Sequence, residues 1–197
     1  YLGIGYSYKR MEDYKNASEF LNKALRLKES IGEKDRVYYI ILIHIANVAL
    51  EFKDYETSFS SNKISLQYFN KEPFLRVMIE NNRGFYYNEL FKELNVNDFL
   101  VKLNIKKKQQ LLDSSRYFYN RVLKTTKVIK DDKWNAYGYF GLAENMFLNK
   151  DYVSAIKHYK ISIAISYEFN KNNFDLLKRC YNGLYLSFYA LKKYKKS

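Results

Sequence analysis

Few side chains in this sequence could perform chemistry, and their spacing argues against catalysis. The only histidines are His44 and His158, far apart in the chain, and the only cysteine is Cys180. None stands in an HExxH zinc motif or a CxxC redox motif, and the sequence has no glycine-rich phosphate loop. Each lies in a helical pattern, which is typical of structural or surface histidines and of a buried thiol. The sequence therefore predicts no catalytic residue, no metal ligand and no cofactor.

The composition favours helices. The chain of 197 residues contains 7 Gly and 1 Pro, whereas all-β folds need many turn residues. It is 47% hydrophobic and 18% aromatic, which is enough to bury a large core. The longest apolar run, residues 38–50, is interrupted by His44 and Asn47 and is shorter than the roughly 20 residues that span a bilayer. We therefore expect an all-α protein with no membrane span.

The net charge of +13 has two interpretations. It could attract nucleic acid or an anionic membrane surface, or it could reflect a solvated surface rich in lysine. Lysine far outnumbers arginine, the residue whose fork reads bases, and the basic clusters Lys106–Lys108 and Lys192–Lys196 are far apart in the chain. We favour the solvated surface and keep non-specific nucleic-acid binding as a weaker alternative.

A recurring tyrosine organises the chain. The segments EDYKNASEF, KDYETSFSS and KDYVSAIKH place an acid directly before Tyr14, Tyr55 and Tyr152, and a small residue follows three positions later. A fourth tyrosine, Tyr194, repeats the spacing near the end of the chain. A helical pattern of large and small residues precedes and follows each of the first three tyrosines. The chain is therefore predicted to be a series of helix hairpins.

The first hairpin carries the most complete pattern, Tyr1-x2-Ile4-Gly5-x2-Tyr8 and then Ala17-x3-Leu21-x2-Ala24. This resembles the tetratricopeptide repeat, whose pattern is large-x2-Leu-Gly-x2-Tyr and then Ala-x3-Phe-x2-Ala. The resemblance implies a right-handed α-solenoid of antiparallel helix hairpins, with about four full repeats and a partial fifth.

The resemblance covers residues 1–197 as a single array, with repeats at roughly 1–34, 37–71, 75–130, 134–170 and 175–197. The third repeat contains an insertion near 92–110, where we expect lengthened helices or a protruding helical segment. Asn62 in a large slot and Tyr185 in a small slot depart from the pattern. Tyr194 and Ser197 match the start of a second helix in the fifth repeat, so we expect a piece of a longer array, cut at both ends.

The repeats of this chain are longer than the common length of about 34 residues. In this respect they resemble the repeat arrays of bacterial signalling proteins. The resemblance implies a non-catalytic domain that binds a protein or peptide, acting as the sensory or interaction module of a signalling or transcription regulator. Its partner could be its own effector domain. The alternative is a structural scaffold that forms homo-oligomers through its end repeats. The compartment stays open between a cytoplasmic location, which is favoured, and a periplasmic sensor domain.

In this family the first helix of each hairpin lines a concave groove, and the matching positions here are candidate binding residues. They mix aromatic rings, which form apolar pockets, with asparagines, whose amides can pair with a peptide backbone. The candidates are Tyr6, Lys9, Arg10, Ile43, Asn47, Glu51, Asn81, Phe85, Asn88, Glu89, Tyr137, Phe140, Glu144, Phe147, Asn182, Leu186 and Tyr189. Leu2 and Tyr6 replace the Lys and Asn of the family's chaperone-tail clamp, so that binding mode is not expected.

Overall fold

The fold is all-α. The computed structural model describes residues 1–66, 72–93, 100–101, 103–169 and 174–194, and it places no strand in these ranges. The helices are α1 (Leu2–Arg10), α2 (Tyr14–Ser30), α3 (Arg36–Glu51), α4 (Tyr55–Ser65), α5 (Pro73–Lys92), α6 (Gln109–Ile129), α7 (Asp132–Leu148), α8 (Tyr152–Phe169) and α9 (Phe174–Tyr194). The predicted all-α class is confirmed, and none of these helices is both long and apolar enough to cross a bilayer.

Neighbouring helices pack together within two compact units, Tyr1–Asn82 and Arg83–Ser197, whose boundary falls inside α5. In the first unit, α1 packs on α2, α2 on α3 and α3 on α4, and α1 also touches α3. In the second, α6 packs on α7, α7 on α8 and α8 on α9, and α7 also touches α9. The odd-numbered helices are called first helices below, and α2, α4, α6 and α8 are called second helices.

Four turns between consecutive helices share one geometry. In the turn after α1, Glu12 has a left-handed φ of 60°, and the N–H of Asp13 donates to a carbonyl five residues earlier at 3.0 Å. The Asp13 carboxylate then accepts the N–H of Asn16 and caps α2. The same arrangement recurs at Lys53–Asp54, Lys130–Asp131 and Lys150–Asp151. The acid of each EDY or KDY motif is therefore a helix cap.

Helix α9 does not end before Tyr194, where the sequence pattern predicts a second helix to begin. The helix is continuous from Phe174 to Tyr194. The sequence offers no capping residue here, because Lys193 stands where an aspartate precedes Tyr14, Tyr55 and Tyr152. Ser197 lies outside the described residues.

Helices α5 and α6 flank the predicted insertion and contain 20 and 21 residues. In the first turn of α6, the side-chain oxygen of Gln110 accepts the N–H groups of Lys106 and Lys107, which lie just before the helix, at 2.8 and 2.9 Å. Of the segment expected to protrude near 92–110, residues 94–99 and 102 lie outside the described residues.

Glycines in the first helices allow side chains of the second helices to pack directly on their backbones. Leu21 of α2, which is fully buried, lies against Gly5 of α1. A Cβ added at Gly5 would lie 2.9 Å from Leu21 Cγ and 3.1 Å from the Leu21 backbone nitrogen. A side-chain rotation cannot relieve the second contact, so the two helices would have to separate.

Two buried tyrosines take the place of Leu21 in the second unit. Tyr119 of α6 lies against Gly141, where a Cβ would be 2.0 Å from the ring. Tyr159 of α8 lies against Gly183, where a Cβ would be 2.3 Å from the ring. Burial raises the pKa of both phenols well above the usual range, so both stay protonated.

The two departures from the repeat pattern lie in opposite environments. Asn62 is buried on α4, and its Oδ1 has no hydrogen-bond partner among the described residues. Tyr185 on α9 occupies a position where the repeat pattern expects a small residue, and its ring projects into solvent with 65% of the residue exposed.

A matched pair of glycines in α1 tests the close approach. Gly5→Ala should lower the free energy of unfolding by about 1–3 kcal/mol, because the new methyl group overlaps the α2 backbone. Gly3→Ala should raise it by about 0.5–1 kcal/mol, because Ala is the better helix former and nothing lies within 4 Å of the added Cβ. Urea titrations followed by circular dichroism measure both. Equal effects of the two changes would contradict close packing at Gly5.

Candidate functional site

The first unit places its candidate residues at different depths. Ile43 is 1% exposed, so it belongs to the core and is removed from the candidate surface. Tyr6 is exposed on α1, with its ring 5.1 Å from the ring of His44. The other candidates of this unit are exposed or half-buried: Lys9, Arg10, Asn47, Glu51 and Asn81.

The two histidines are placed as structural groups. His44 is buried in α3, and its Nδ1 has no hydrogen-bond partner among the described residues. Burial, with a smaller contribution from the Lys9 charge, lowers the pKa of His44 to about 3. His158 is half-buried, and its Nδ1 lies 2.7 Å from the carbonyl of Ser154 in its own helix. Neither imidazole is paired with a nucleophile or a carboxylate by a described contact.

The second unit brings three first helices together around Arg179. The guanidinium carbon of Arg179, on α9, lies 4.6 Å from the ring centre of Phe140 on α7 and 5.8 Å from that of Phe85 on α5. An arginine stacked on rings keeps its N–H edges available for a carboxylate. Within the described ranges, Arg179 has no ion pair with any Asp or Glu. The stacking therefore holds an exposed cation in position with its edges free.

Charged side chains of both signs lie one helical turn from this stack, since Glu89 and Glu144 follow Phe85 and Phe140 by four residues. Lys92 Nζ is 2.6 Å from Glu89 Oε1 and 3.8 Å from Glu144 Oε2. The buried hydroxyl of Tyr159 donates to Glu144 Oε1, which holds that carboxylate at the base of the surface. We call this surface the Arg179 face: Phe85, Glu89, Lys92, Phe140, Glu144 and Arg179.

Asn88, although a candidate, is not available to a ligand. It is 1% exposed, its Nδ2 donates to the carbonyl of Gly141 at 3.4 Å, and its Oδ1 accepts from Asn145 at 3.3 Å. These bonds join α5 to α7, so Asn88 is removed from the candidate surface.

The remaining candidates lie around the Arg179 face or further along the first helices. Phe140 is itself buried beneath Arg179. Tyr137 contacts Trp134 at 5.4 Å and Phe147 contacts Tyr152 at 5.5 Å between ring centres, which are packing contacts within the unit. The exposed candidates on α9 are Asn182, Leu186 and Tyr189.

The sequence pattern missed Arg179, Lys92 and Tyr159. Arg179 and Lys92 each lie three residues beyond a candidate, on the same helical stripe as Asn182 and Glu89, so extending the stripe by one turn would have found both. Tyr159 lies in a second helix, and no sequence signal links its hydroxyl to the site.

Cys180 has no environment of a reactive thiol. It is fully buried, and its Sγ donates to the Ser162 hydroxyl at 3.3 Å. Burial is the main cause that raises the pKa of this thiol to about 11. No group of His, Cys, Asp and Glu in the described part of the chain could hold a metal ion.

No protein-family model matches the sequence, and no curated protein is significantly similar to it.

The pKa of His44 makes the stability of the protein depend on pH. The folded pKa of about 3 lies below the reference value of 6.5, so as the pH falls the unfolded chain takes up a proton that the folded chain does not. Between pH 8 and pH 5.5 this should lower the free energy of unfolding by about 1.4 kcal/mol. Urea titrations at both pH values should show this fall in the free energy of unfolding for the wild type. His44→Phe removes the titrating group, so its free energy of unfolding should change less over the same pH interval. Identical pH profiles would show that His44 is not buried as a neutral group.

The placement of Cys180 predicts an unreactive thiol. Because it is fully buried with a raised pKa, it should not react with Ellman's reagent at neutral pH over minutes, and it should react fully in guanidinium chloride. The absorbance of the released thiolate reports both. Rapid reaction of the native protein would contradict the burial.

Proposed function

We propose that this chain is a non-catalytic binding module for a protein or peptide, with the Arg179 face as its principal contact surface. The arrangement that carries the proposal is the exposed guanidinium of Arg179, stacked on Phe140 and Phe85 and without an ion pair to any described carboxylate. A cation positioned in this way can form two parallel hydrogen bonds to a carboxylate of a partner with little loss of side-chain freedom.

The neighbouring charges support a peptide rather than a simple anion as the ligand. Lys92, Glu89 and Glu144 form a connected set of both signs next to the stack. Such a set can accept the N–H groups of a backbone or a basic side chain while Arg179 binds an acidic one. We therefore propose a partner segment that carries an acidic residue next to polar or basic positions.

The wider architecture in this proposal is the solenoid of helix hairpins implied by the resemblance to tetratricopeptide repeats. One capped turn recurs at Asp13, Asp54, Asp131 and Asp151, and three of these four turns join the first and second helix of a predicted hairpin, which supports it. The role as the sensory or interaction module of a bacterial signalling or transcription regulator rests on that resemblance alone. A non-catalytic role is supported by the buried Cys180 and the structural placement of both histidines.

Selection from a display library of random peptides tests the proposal. The immobilised protein should enrich peptides that share an acidic residue. Arg179→Ala should weaken the binding of an enriched peptide by about tenfold or more, since a hydrogen-bonded charge contributes about 1.5–3 kcal/mol. Fluorescence anisotropy with the labelled peptide measures the affinity.

Arg121→Ala provides the matched control. Arg121 of α6 also stacks on a ring, 5.5 Å from the centre of Tyr117, but it lies outside the Arg179 face. Its loss should leave the affinity unchanged. Failure to enrich any peptide, or equal losses in the two variants, would contradict binding at the Arg179 face.

A further inference from the structure

Helices α8 and α9 share an exposed aromatic face. On α9, Tyr181, Tyr185 and Phe188 are 47%, 65% and 49% exposed, and their spacing puts them on one side of the helix. On α8, the hydroxyl of Tyr167 lies 3.3 Å from that of Tyr181, and Lys160 Nζ lies 6.0 Å from the centre of the Phe188 ring. We call the surface the α8–α9 face: Lys160, Ala164, Tyr167, Tyr181, Tyr185 and Phe188.

Such a face indicates an interaction surface. Monomeric proteins rarely expose a contiguous patch of large apolar side chains, and clustered aromatic residues are the usual anchors of protein interfaces. None of its six residues belongs to the Arg179 face, so a partner here is additional to the proposed peptide ligand.

The charges along α8 are arranged for a second copy of the same helix. Lys160, Ala164 and Glu168 are four residues apart, so they lie on the same side of α8, and all three are exposed. Ala164 is halfway between the two charges, and its small side chain permits close approach. If two copies of α8 cross in opposite directions at Ala164, each Lys160 lies opposite the Glu168 of the other copy.

We propose that the chain forms a two-fold symmetric, antiparallel dimer through the α8–α9 face, centred on Ala164. The contacts from Tyr167 to Tyr181 and from Lys160 to Phe188 place Ala164 level with Tyr185 of α9. The two-fold axis therefore brings each Tyr185 against its counterpart in the other copy.

The same axis brings Tyr181 against Phe188 of the other copy, so that aromatic contacts fill the centre between two Lys160–Glu168 ion pairs. At the rim of the interface, Lys178 of one copy approaches Lys192 of the other, and both long side chains can extend into solvent. A parallel arrangement would instead place Lys160 against Lys160 and Glu168 against Glu168. Like charges in contact are unfavourable, so the charge pattern selects the antiparallel arrangement.

Sedimentation velocity of the 197-residue chain, from about 1 to about 100 µM, tests the dimer. The sedimentation coefficient should rise with concentration. Tyr185→Glu should weaken the association about tenfold or more, because it places a charge at the apolar centre. Tyr117→Glu is the matched control, since Tyr117 is a 54% exposed tyrosine on α6. It should leave the association unchanged, and thermal melts should show that both variants are folded.

Charge reversal tests the orientation. Lys160→Glu and Glu168→Lys should each weaken the dimer, and the double variant should recover the wild-type association because the reciprocal pairs are restored. A chain that stays monomeric at every concentration, or a dimer that is insensitive to Tyr185→Glu, would overturn the proposal and assign the face to a different occupant. A double variant that does not recover would overturn the antiparallel arrangement.

Discussion

The packing of two buried tyrosines on glycines is the constraint on which the arrangement of helices α6 to α9 depends. The Tyr119 ring lies against Gly84 of α5 and Gly141 of α7, and the Tyr159 ring lies against Gly183 of α9. A Cβ at any of these three glycines would come within 3 Å of a ring. The distance between a second helix and the first helices around it is therefore set by the thickness of an aromatic ring against bare backbone.

This constraint also produces the candidate site. Because the tyrosines hold their neighbouring first helices close, Phe85, Phe140 and Arg179 come from three helices to form one stack. Tyr159 serves both the scaffold and the site, since its ring is buried and its hydroxyl donates to Glu144. Burial keeps this phenol protonated, so the donor is permanent over the physiological pH range.

The success of sequence reasoning depended on how local each feature is. The capped turns could be predicted, because Asp13 and the equivalent aspartates bond to groups only three residues ahead. The expected helix start at Tyr194 lacked such a cap. The stack on Arg179 could not be foreseen, because its partners are distant in the chain. Asn88 lies on the same helix as the half-buried candidates Phe85 and Glu89, but it is fully buried and hydrogen-bonded to α7. Only the packing of the helices distinguishes these environments.

The sequence by itself determined the all-α class, the helix boundaries near aspartate caps and the lack of any catalytic motif. These features follow from hydrogen bonds and side-chain spacing within one or two helical turns. Only the tertiary structure decided which polar residues are buried, that Arg179 has no ion pair with a described carboxylate, and which aromatic residues of α8 and α9 stay exposed. Burial and pairing depend on side chains brought from distant positions, and the spacing of residues within one helix carries no record of them.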